Sequence, residues 1–308
     1  MSKECKPNIG GQAVIEGVMM RAPNKFVIAV RKPNGNIIVK KDEIKIDSKP
    51  IFKKPFIRGL VMLYDSLVLG IKALNFSAEH AMPDEKSNDG KSSKWDTYLG
   101  MILGIGLGVG LFIYLPLLFT ELLKYVVPLI EQSFFVFNLV DGIIRLAIFV
   151  AYIFIISRMK DVARVFGYHG AEHKAIYTYE RGLDLTVENA KTMSRLHPRC
   201  GTSFLLIVMI VAIIVFSMIP KDSHFIIKFG SRIVLLPVIA GISYEILKLS
   251  GRHSCNPIVK FLIAPGLWLQ NLTTREPDDK MLEVALLSIK EALDKNNGEE
   301  VEGVEYAA

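Results

Sequence analysis

Several features are scarce or missing in this 308-residue sequence, and each absence excludes a class of protein. The three cysteines are odd in number and too few for a disulfide framework. The first 20 residues contain no continuous apolar core, so we expect no cleavable signal peptide. No internal repeat and no nucleic-acid-binding motif is found, which argues against a solenoid fold and against a nucleic-acid partner.

The composition that remains is average in total but uneven along the chain. Hydrophobic residues make up 51%, charged residues 22%, and the formal net charge is +6, values typical of soluble proteins. Residues 98–120, however, are 23 residues without one charge, whereas residues 1–98 hold 28 charged side chains. This segregation predicts a membrane protein with the lipid bilayer as its first partner.

Apolar stretches predict about four transmembrane helices, because a hydrocarbon core about 30 Å thick needs roughly 20 helical residues. The stretches are residues 98–120, 139–157, 203–219 and 233–249. In the second, Asp141 and Arg145 lie one helical turn apart, which favours a mutual ion pair over a functional role. Residues 261–272 are uncharged but short and contain Pro265, so we interpret them as interfacial or re-entrant.

The first predicted span contains glycines at four-residue spacing, at positions 100, 104 and 108 and at positions 106 and 110. Such spacing permits close approach between two helices. It is compatible either with a lipid-facing helix or with a homo-oligomer formed through this span.

Basic residues are concentrated in three segments, with 17 in residues 1–98, 8 in residues 158–202 and 6 in residues 250–308. The two segments between them, 121–138 and 221–232, hold only 4. The positive-inside rule therefore predicts a multi-pass protein of the cytoplasmic membrane with both termini in the cytoplasm.

The sequence divides into three predicted parts. Residues 1–97 form a cytoplasmic region with a β-hairpin, an amphipathic helix at 57–75 and a linker; the hairpin joins residues 25–32 and 36–41 through Pro33-Asn34-Gly35. Residues 98–272 form the transmembrane bundle, with a cytoplasmic loop at 158–202. Residues 273–308 form a surface helix at 281–293 and a frayed acidic tail over the last dozen residues. The predicted fold class is thus mainly α, with a small β-containing region and amphipathic surface helices.

The motif His169-Gly170-Ala171-Glu172-His173 carries the clearest chemical signal. On a helix, His169 and His173 lie one turn apart and present two imidazoles to one point, as in a metal site. Glu172 lies beside them in the position of a general base, which makes it the candidate catalytic residue. The alternative is a histidine pair that forms structural hydrogen bonds at the membrane surface.

Two histidines do not complete a metal site, and three more residues are candidate ligands. His197 and Cys200 precede the third span, where a helix N-terminus would favour the thiolate. Glu245 lies within the fourth span, where a lone carboxylate is costly unless it is paired or functional; the alternative is a charge pair with Lys248 or Arg145. Together with the two motif histidines, these residues predict a divalent metal cofactor, zinc before others.

Weaker candidates lie near this set. His253 and Cys255 follow the fourth span, and Glu180 and Glu188 share the loop of the histidine motif. In the N-terminal stretch at residues 10–21, Glu16 faces either the predicted site or a tight turn into the hairpin, and we favour the turn.

Several motifs resemble the YqhQ-like family of bacterial membrane proteins, which also has plastid members. They are GGQAVIEGVMMR at residues 10–21, YHGAEHK at 168–174, HPRCGTSF at 197–204, SYE at 243–245, PGLWLQ at 265–270 and TTREP at 273–277. The resemblance covers nearly the whole chain, and it implies a predicted metal-dependent enzyme without naming a reaction.

Two classes of function follow from these features. The first is a zinc-dependent hydrolase at the cytoplasmic membrane surface, acting on a peptide, a lipid headgroup or a lipid-linked precursor; a cysteine-nucleophile enzyme built on Cys200 and His197 is a variant. The second is a non-enzymatic scaffold or assembly factor whose His/Glu/Cys cluster is structural. A transporter is less favoured, because four spans without repeat symmetry do not suit one.

Overall fold

The computed structural model describes residues 9–44, 54–81, 94–219, 224–252, 257–294 and 304–307, and it is mainly helical with one small sheet. The strands are β1 (Gly10–Val14), β2 (Gly17–Arg21), β3 (Lys25–Arg31), β4 (Ile37–Glu43) and β5 (Val304–Ala307). The helices are α1 (Ile57–Ala81), α2 (Lys94–Val109), α3 (Leu115–Leu123), α4 (Pro128–Gln132), α5 (Phe134–Ile156), α6 (Lys160–Arg181), α7 (Val187–Lys191), α8 (Gly201–Phe216), α9 (Phe225–Val234), α10 (Leu236–Arg252), α11 (Pro257–Thr273) and α12 (Asp279–Leu293). One π-helical turn (Gly110–Tyr114) joins α2 to α3.

The predicted N-terminal hairpin is confirmed. β3 and β4 pair antiparallel, with Arg31 opposite Ile37 at the turn. Gly35 in that turn has φ of 94°, a left-handed conformation that glycine adopts without steric cost. β1 and β2 extend the hairpin into a four-stranded antiparallel meander.

The fifth strand comes from the other end of the chain. β5 pairs with β4 in parallel, and Glu305 forms an ion pair with Lys32 at 2.8 Å. The Tyr306 hydroxyl donates a hydrogen bond of 2.9 Å to Glu291 of α12. The prediction of a frayed tail is therefore wrong for residues 304–307, because their partners are remote in sequence and a four-residue strand has too little pattern to reveal them.

Helices cover both faces of the sheet. α12 and α6 pack on one face, and α12 lies so deeply between the sheet and α6 that Leu282 and Ile289 are fully buried. The predicted surface helix at 281–293 is thus a helix but a core one. On the other face, α1 contributes Leu69, Ala73 and Phe76 to a second apolar cluster.

α1 is longer than the predicted amphipathic segment, and it connects the sheet to the apolar helices. Its C-terminal half packs on the sheet, while its N-terminal half contacts α10. A Cβ at Gly59 would lie 2.9 Å from Cβ of Tyr244, so the two helices meet closely at that point. The helix therefore fixes the sheet relative to the membrane-facing helices.

Two helical segments are long and apolar enough to cross a membrane, Ile102–Leu123 and Phe135–Ile156. A third candidate is the pair Phe225–Val234 and Leu236–Leu249, which is bent by 44°. The third predicted span corresponds only to the shorter apolar helix Phe204–Phe216. Among the described residues, two or three candidate spans therefore stand where the sequence predicts about four.

Two further differences concern regions next to these helices. α11 runs continuously through Pro265, where the sequence suggests a break; a proline removes one helical hydrogen bond and can be tolerated as a kink. The predicted loop at 158–202 is mostly helical, since α6 and α7 occupy much of it. This long α6 brings the histidine motif onto the sheet.

The glycines of the first span face open space. A Cβ built at Gly100, Gly104, Gly106, Gly108 or Gly110 would meet no atom within 4 Å. A side-chain-sized space is therefore open at each of these five positions within the described part of this chain. Contact with a second copy through it stays a prediction.

Candidate metal and catalytic site

The candidate site lies where α6, the start of α8 and the end of α11 meet. α6 carries His169, Glu172 and His173 on the side that faces the sheet and α8, and all three are largely or fully buried. Gly170 lets this helix approach the segment after α11, because a Cβ there would lie 2.1 Å from the carbonyl oxygen of Arg275. The helical spacing predicted for the motif is confirmed.

Three metal-binding side chains converge at this place: His169, His173 and Cys200, here called the His/Cys cluster. One ligand atom from each lies within 4.8 Å of the others. Nε2 of His169 is 3.2 Å from Sγ of Cys200, and the two imidazole centroids are 4.5 Å apart. Two imidazoles and a thiol are a ligand set typical of zinc.

Cys200 belongs to this cluster because of its place at the N-terminus of α8. It is the N-cap residue of that helix, and its sulfur accepts a hydrogen bond from the backbone N–H of Thr202 at 3.4 Å. The start of α8 thus holds the sulfur beside the two imidazoles. The sequence prediction that the thiol sits at a helix start is confirmed.

Backbone carbonyls orient both imidazoles. Nδ1 of His169 lies 2.8 Å from the carbonyl oxygen of Thr273, and Nδ1 of His173 lies 2.5 Å from that of Arg195. A carbonyl oxygen can only accept, so Nδ1 of each ring carries a proton, and Nε2 is the ring atom left to face a ligand. Metal-binding histidines are held in this way in proteins.

The Nε2 atom of His173 is the strongest indication of a ligand site at the cluster. It is buried, and it has no hydrogen-bond partner among the described residues. Burial lowers the pKa of His173, which keeps the imidazole neutral and its lone pair available near pH 7. A buried acceptor without a partner is costly unless a ligand satisfies it.

Glu172 lies beside the cluster without belonging to it. Its Oε2 is 3.9 Å from Nε2 of His169 and 3.8 Å from Nε2 of His173. Burial raises the pKa of the Glu172 carboxyl, and the nearby imidazoles of His169 and His197 and the N–H of Gly11 oppose the rise only in part. A carboxyl with a raised pKa next to ligand atoms suits proton transfer.

The N-terminal glycine motif covers this carboxylate. A Cβ at Gly11 would lie 2.7 Å from Cγ of Glu172, so only glycine lets β1 come so near. Glu16, in the β1–β2 turn with φ of 50°, binds Arg164 through both carboxylate oxygens and accepts from the Tyr168 hydroxyl at 3.3 Å. The motif therefore makes both a tight turn and a contact with α6.

His197 lies next to the cluster, with its ring centroid 5.7 Å from that of His173. Its Nδ1 accepts from the backbone N–H of Arg199 at 3.2 Å, and its Nε2 is 3.4 Å from Glu180. Burial lowers the pKa of His197. Because both ring nitrogens have partners, the structure places this histidine in an outer position rather than with the three converging ligand atoms.

Glu245 is not brought to the cluster. Its Oε1 accepts from Nε of Arg58 at 2.8 Å and from the backbone N–H of Phe56 at 3.2 Å, and its Oε2 pairs with the same guanidinium. The carboxylate thus joins α10 to the start of α1. The alternative prediction, that Glu245 forms a charge pair, agrees with this contact, although the partner is Arg58 and not Lys248 or Arg145. The weaker candidates His253 and Cys255 lie outside the described residues.

Several contributors to the site carry little sequence signal. Thr273 and Arg195 act through backbone oxygens, and Arg195 also ties its segment to Thr274 through hydrogen bonds of 2.8 and 2.6 Å. Gln270 holds the backbone of His197 from both sides, accepting at 2.7 Å and donating at 2.8 Å. Gln270, Thr273 and Thr274 lie within motifs of the family resemblance, whereas Arg195 lies two residues before one of them.

Gly170→Ala is expected to destabilise the protein by about 3 kcal/mol, because its Cβ would overlap a backbone oxygen that side-chain rotation cannot move. The measurement is the thermal unfolding midpoint of the purified protein in detergent. Gly201→Ala is the matched control, since a Cβ at Gly201 meets nothing within 4 Å and alanine favours a helix. Equal midpoints for the two variants would contradict the close contact described for α6.

Comparisons with known proteins identify a family and a relative of this chain, but neither has a described activity. Residues 54–295 match a family described as "Protein of unknown function (DUF1385)". The chain is 38% identical over 302 residues, 95% of each protein, to a Bacillus subtilis (strain 168) protein named "Uncharacterized protein YqhQ". No solved structure matches it.

Proposed function

Because the chain belongs to the DUF1385 family, whose description leaves its function open, we propose from the site itself that it is a metal-dependent hydrolase acting at a membrane surface. The proposal rests on one observation above the others. Three ligand atoms, from His169, His173 and Cys200, meet within 4.8 Å, and each imidazole has its Nδ1 bound to a backbone carbonyl oxygen, which leaves Nε2 as the ligand atom.

The chemistry of the donor set supports zinc as the ion. Two neutral imidazoles and a thiolate match borderline-soft zinc, whereas magnesium and calcium prefer oxygen ligands. The buried Nε2 of His173, which has no partner among the described residues, would be satisfied by such an ion. Three protein ligands leave one position free in a tetrahedral site, as is usual for catalytic rather than structural zinc.

The protein's own groups have distinct roles in this proposal. Zinc, when bound, supplies Lewis acidity that activates water near neutral pH. Glu172 acts as the general acid–base group, which accepts a proton from the activated water and returns it later in the reaction. Its carboxylate lies within 4 Å of both Nε2 atoms and is not needed as a ligand. Gly11 orients that carboxylate through its backbone N–H. His197, whose Nε2 contacts Glu180, lies on the outer side of the His/Cys cluster.

The location of the site suggests where substrates come from. α6 follows directly after the candidate span Phe135–Ile156, and Cys200 begins the apolar α8, so the cluster lies at the level where membrane helices enter the soluble part. We propose four spans, a cytoplasmic site and cytoplasmic termini, in line with the distribution of basic residues. The substrate class that fits is a peptide, a lipid headgroup or a lipid-linked precursor.

The test begins with metal analysis of the full-length protein purified in detergent. We expect about one zinc per chain, hydrolysis of a member of the three substrate classes, loss of that hydrolysis after chelation, and its return with added zinc. Absence of stoichiometric zinc, iron or manganese would refute the proposal. Bound zinc whose removal lowers stability while no hydrolysis is found would support a structural cluster in a scaffold protein instead.

A further inference from the structure

A second group of buried charges lies away from the His/Cys cluster, among the apolar helices. It consists of Asp141 and Arg145 on α5 and Arg232 on α9, here called the arginine cluster. Nη2 of Arg145 donates to Oδ2 of Asp141 at 2.7 Å, and Nη2 of Arg232 lies 3.1 Å from the same oxygen. The side chains are only 7%, 1% and 1% exposed for Arg145, Arg232 and Asp141.

The charges in this cluster do not balance. One carboxylate stands between two guanidinium groups, which leaves one positive charge in excess. The other nearby base on α9, Lys228, is already paired with Glu121 of α3. An unbalanced charge that is buried among apolar helices is strongly unfavourable unless a counter-charge accompanies it.

Several donors of the cluster also have no acceptor. Nε of Arg145 and Nε of Arg232 are buried without a hydrogen-bond partner among the described residues, as is one acceptor, Oδ1 of Asp141. Nη2 of Arg232 has the 3.1 Å ion-pair contact with Asp141 but no hydrogen bond of good geometry among those residues. Both guanidinium groups lie over the ring of Phe216, 4.8 and 5.1 Å from its centroid. An aromatic face attracts cations, but it neither carries a net charge nor satisfies these N–H groups as an anion would.

We propose that the arginine cluster binds one small inorganic anion, chloride under ordinary conditions, between α5, α8 and α9. Two buried N–H donors without a partner and an excess positive charge are the features that recognise an anion. A water molecule would satisfy the N–H donors but would not neutralise the excess positive charge. A lipid phosphate is disfavoured because the side chains are enclosed by protein, which leaves a small ion as the ligand.

The proposal is tested on full-length protein in detergent, with chloride exchanged for gluconate at constant ionic strength. We expect chloride to raise the unfolding midpoint by about 3 °C or more in a saturable way, and equilibrium dialysis with radioactive chloride to show about one site per chain. Arg232→Gln, which neutralises the cluster, should lose both effects. Lys290→Gln, which removes an exposed charge on α12, should keep both.

Further variants keep the test decisive if Arg232→Gln does not fold. Arg145→Gln carries the same expectation, and Asp141→Asn should bind chloride more tightly because the only acid is removed. Wild-type protein that binds no chloride overturns the proposal, and so does chloride stabilisation that persists unchanged in the folded Arg232→Gln variant. Stabilisation by phosphate but not by chloride would also overturn it in favour of a larger anion.

Discussion

Replacing His173 with alanine is expected to abolish stoichiometric zinc binding, with a loss of apparent affinity greater than about 100-fold, since even loss of an outer partner of a ligand costs 10- to 100-fold. The side chain supplies one of the three ligand atoms that converge among the described residues, and its Nδ1 is bound to the carbonyl oxygen of Arg195. Competition with a zinc-binding dye on detergent-purified protein measures the affinity.

The control for this prediction is His80→Ala. His80 lies on α1, where its Nδ1 contacts the carbonyl oxygen of Phe76, and it has no place in the cluster. Its variant should bind zinc as the wild type does, and His169→Ala should reproduce the loss seen with His173→Ala. Zinc binding that survives in both cluster variants would show that the metal, if present, is held elsewhere.

Replacing Glu172 with glutamine is expected to leave zinc binding intact and to lower hydrolysis by about 10²- to 10⁴-fold, the usual contribution of a general acid–base group. Glutamine has nearly the same shape, so the contact with Gly11 is kept while the proton acceptor is lost. The measurement pairs zinc content with the turnover rate on the substrate that the wild type hydrolyses.

Glu188→Gln is the matched control for the second prediction, because Glu188 is an exposed carboxylate on α7. Its turnover should stay at the wild-type value. If Glu172→Gln retains full turnover, Glu172 has no role in proton transfer. If it loses zinc together with turnover, the carboxylate supports the ligands rather than the reaction.

The parts of the fold that the sequence predicts well depend on local patterns. The hairpin through Gly35 follows from turn chemistry between two β-rich runs, and the helical spacing of His169 and His173 follows from four intervening peptide units. The position of Cys200 at a helix start follows from the apolar run that begins directly after it. In each case the deciding residues are neighbours in sequence.

The parts that the sequence does not predict depend on partners remote along the chain. Glu245 looks like a lone carboxylate in a span, because its partner Arg58 lies 187 residues away. The same holds for Arg232, whose approach to Asp141 changes a simple ion pair into an unbalanced cluster. Helix α12 shows an amphipathic pattern, but whether its neighbours bury it depends on where the sheet and α6 come to lie.

The bend near Leu235 is a further example. Composition favours one apolar segment over residues 233–249, but α9 begins at Phe225 and meets α10 at an angle of 44°. Lys228 and Arg232 on α9 face Glu121 and Asp141, so ion pairing with α3 and α5 accompanies the bend. A prediction based on hydropathy alone does not detect such ion pairs between helices.

The shared sheet also has a consequence for how often the chain can traverse the bilayer. β1 to β4 precede every apolar helix, and α12 and β5 follow all of them, yet these elements form one core. If the apolar helices cross a bilayer, both flanks of the apolar region lie on the same side of it, and the number of complete crossings is even. α6 packs into the same core and divides the apolar helices into those before it and those after it. The number of crossings would therefore be even in each of these two groups. The first group holds two candidate spans, and in the second an even number of crossings requires that the bent pair α9–α10 crosses together with another helix such as α8, or that neither crosses.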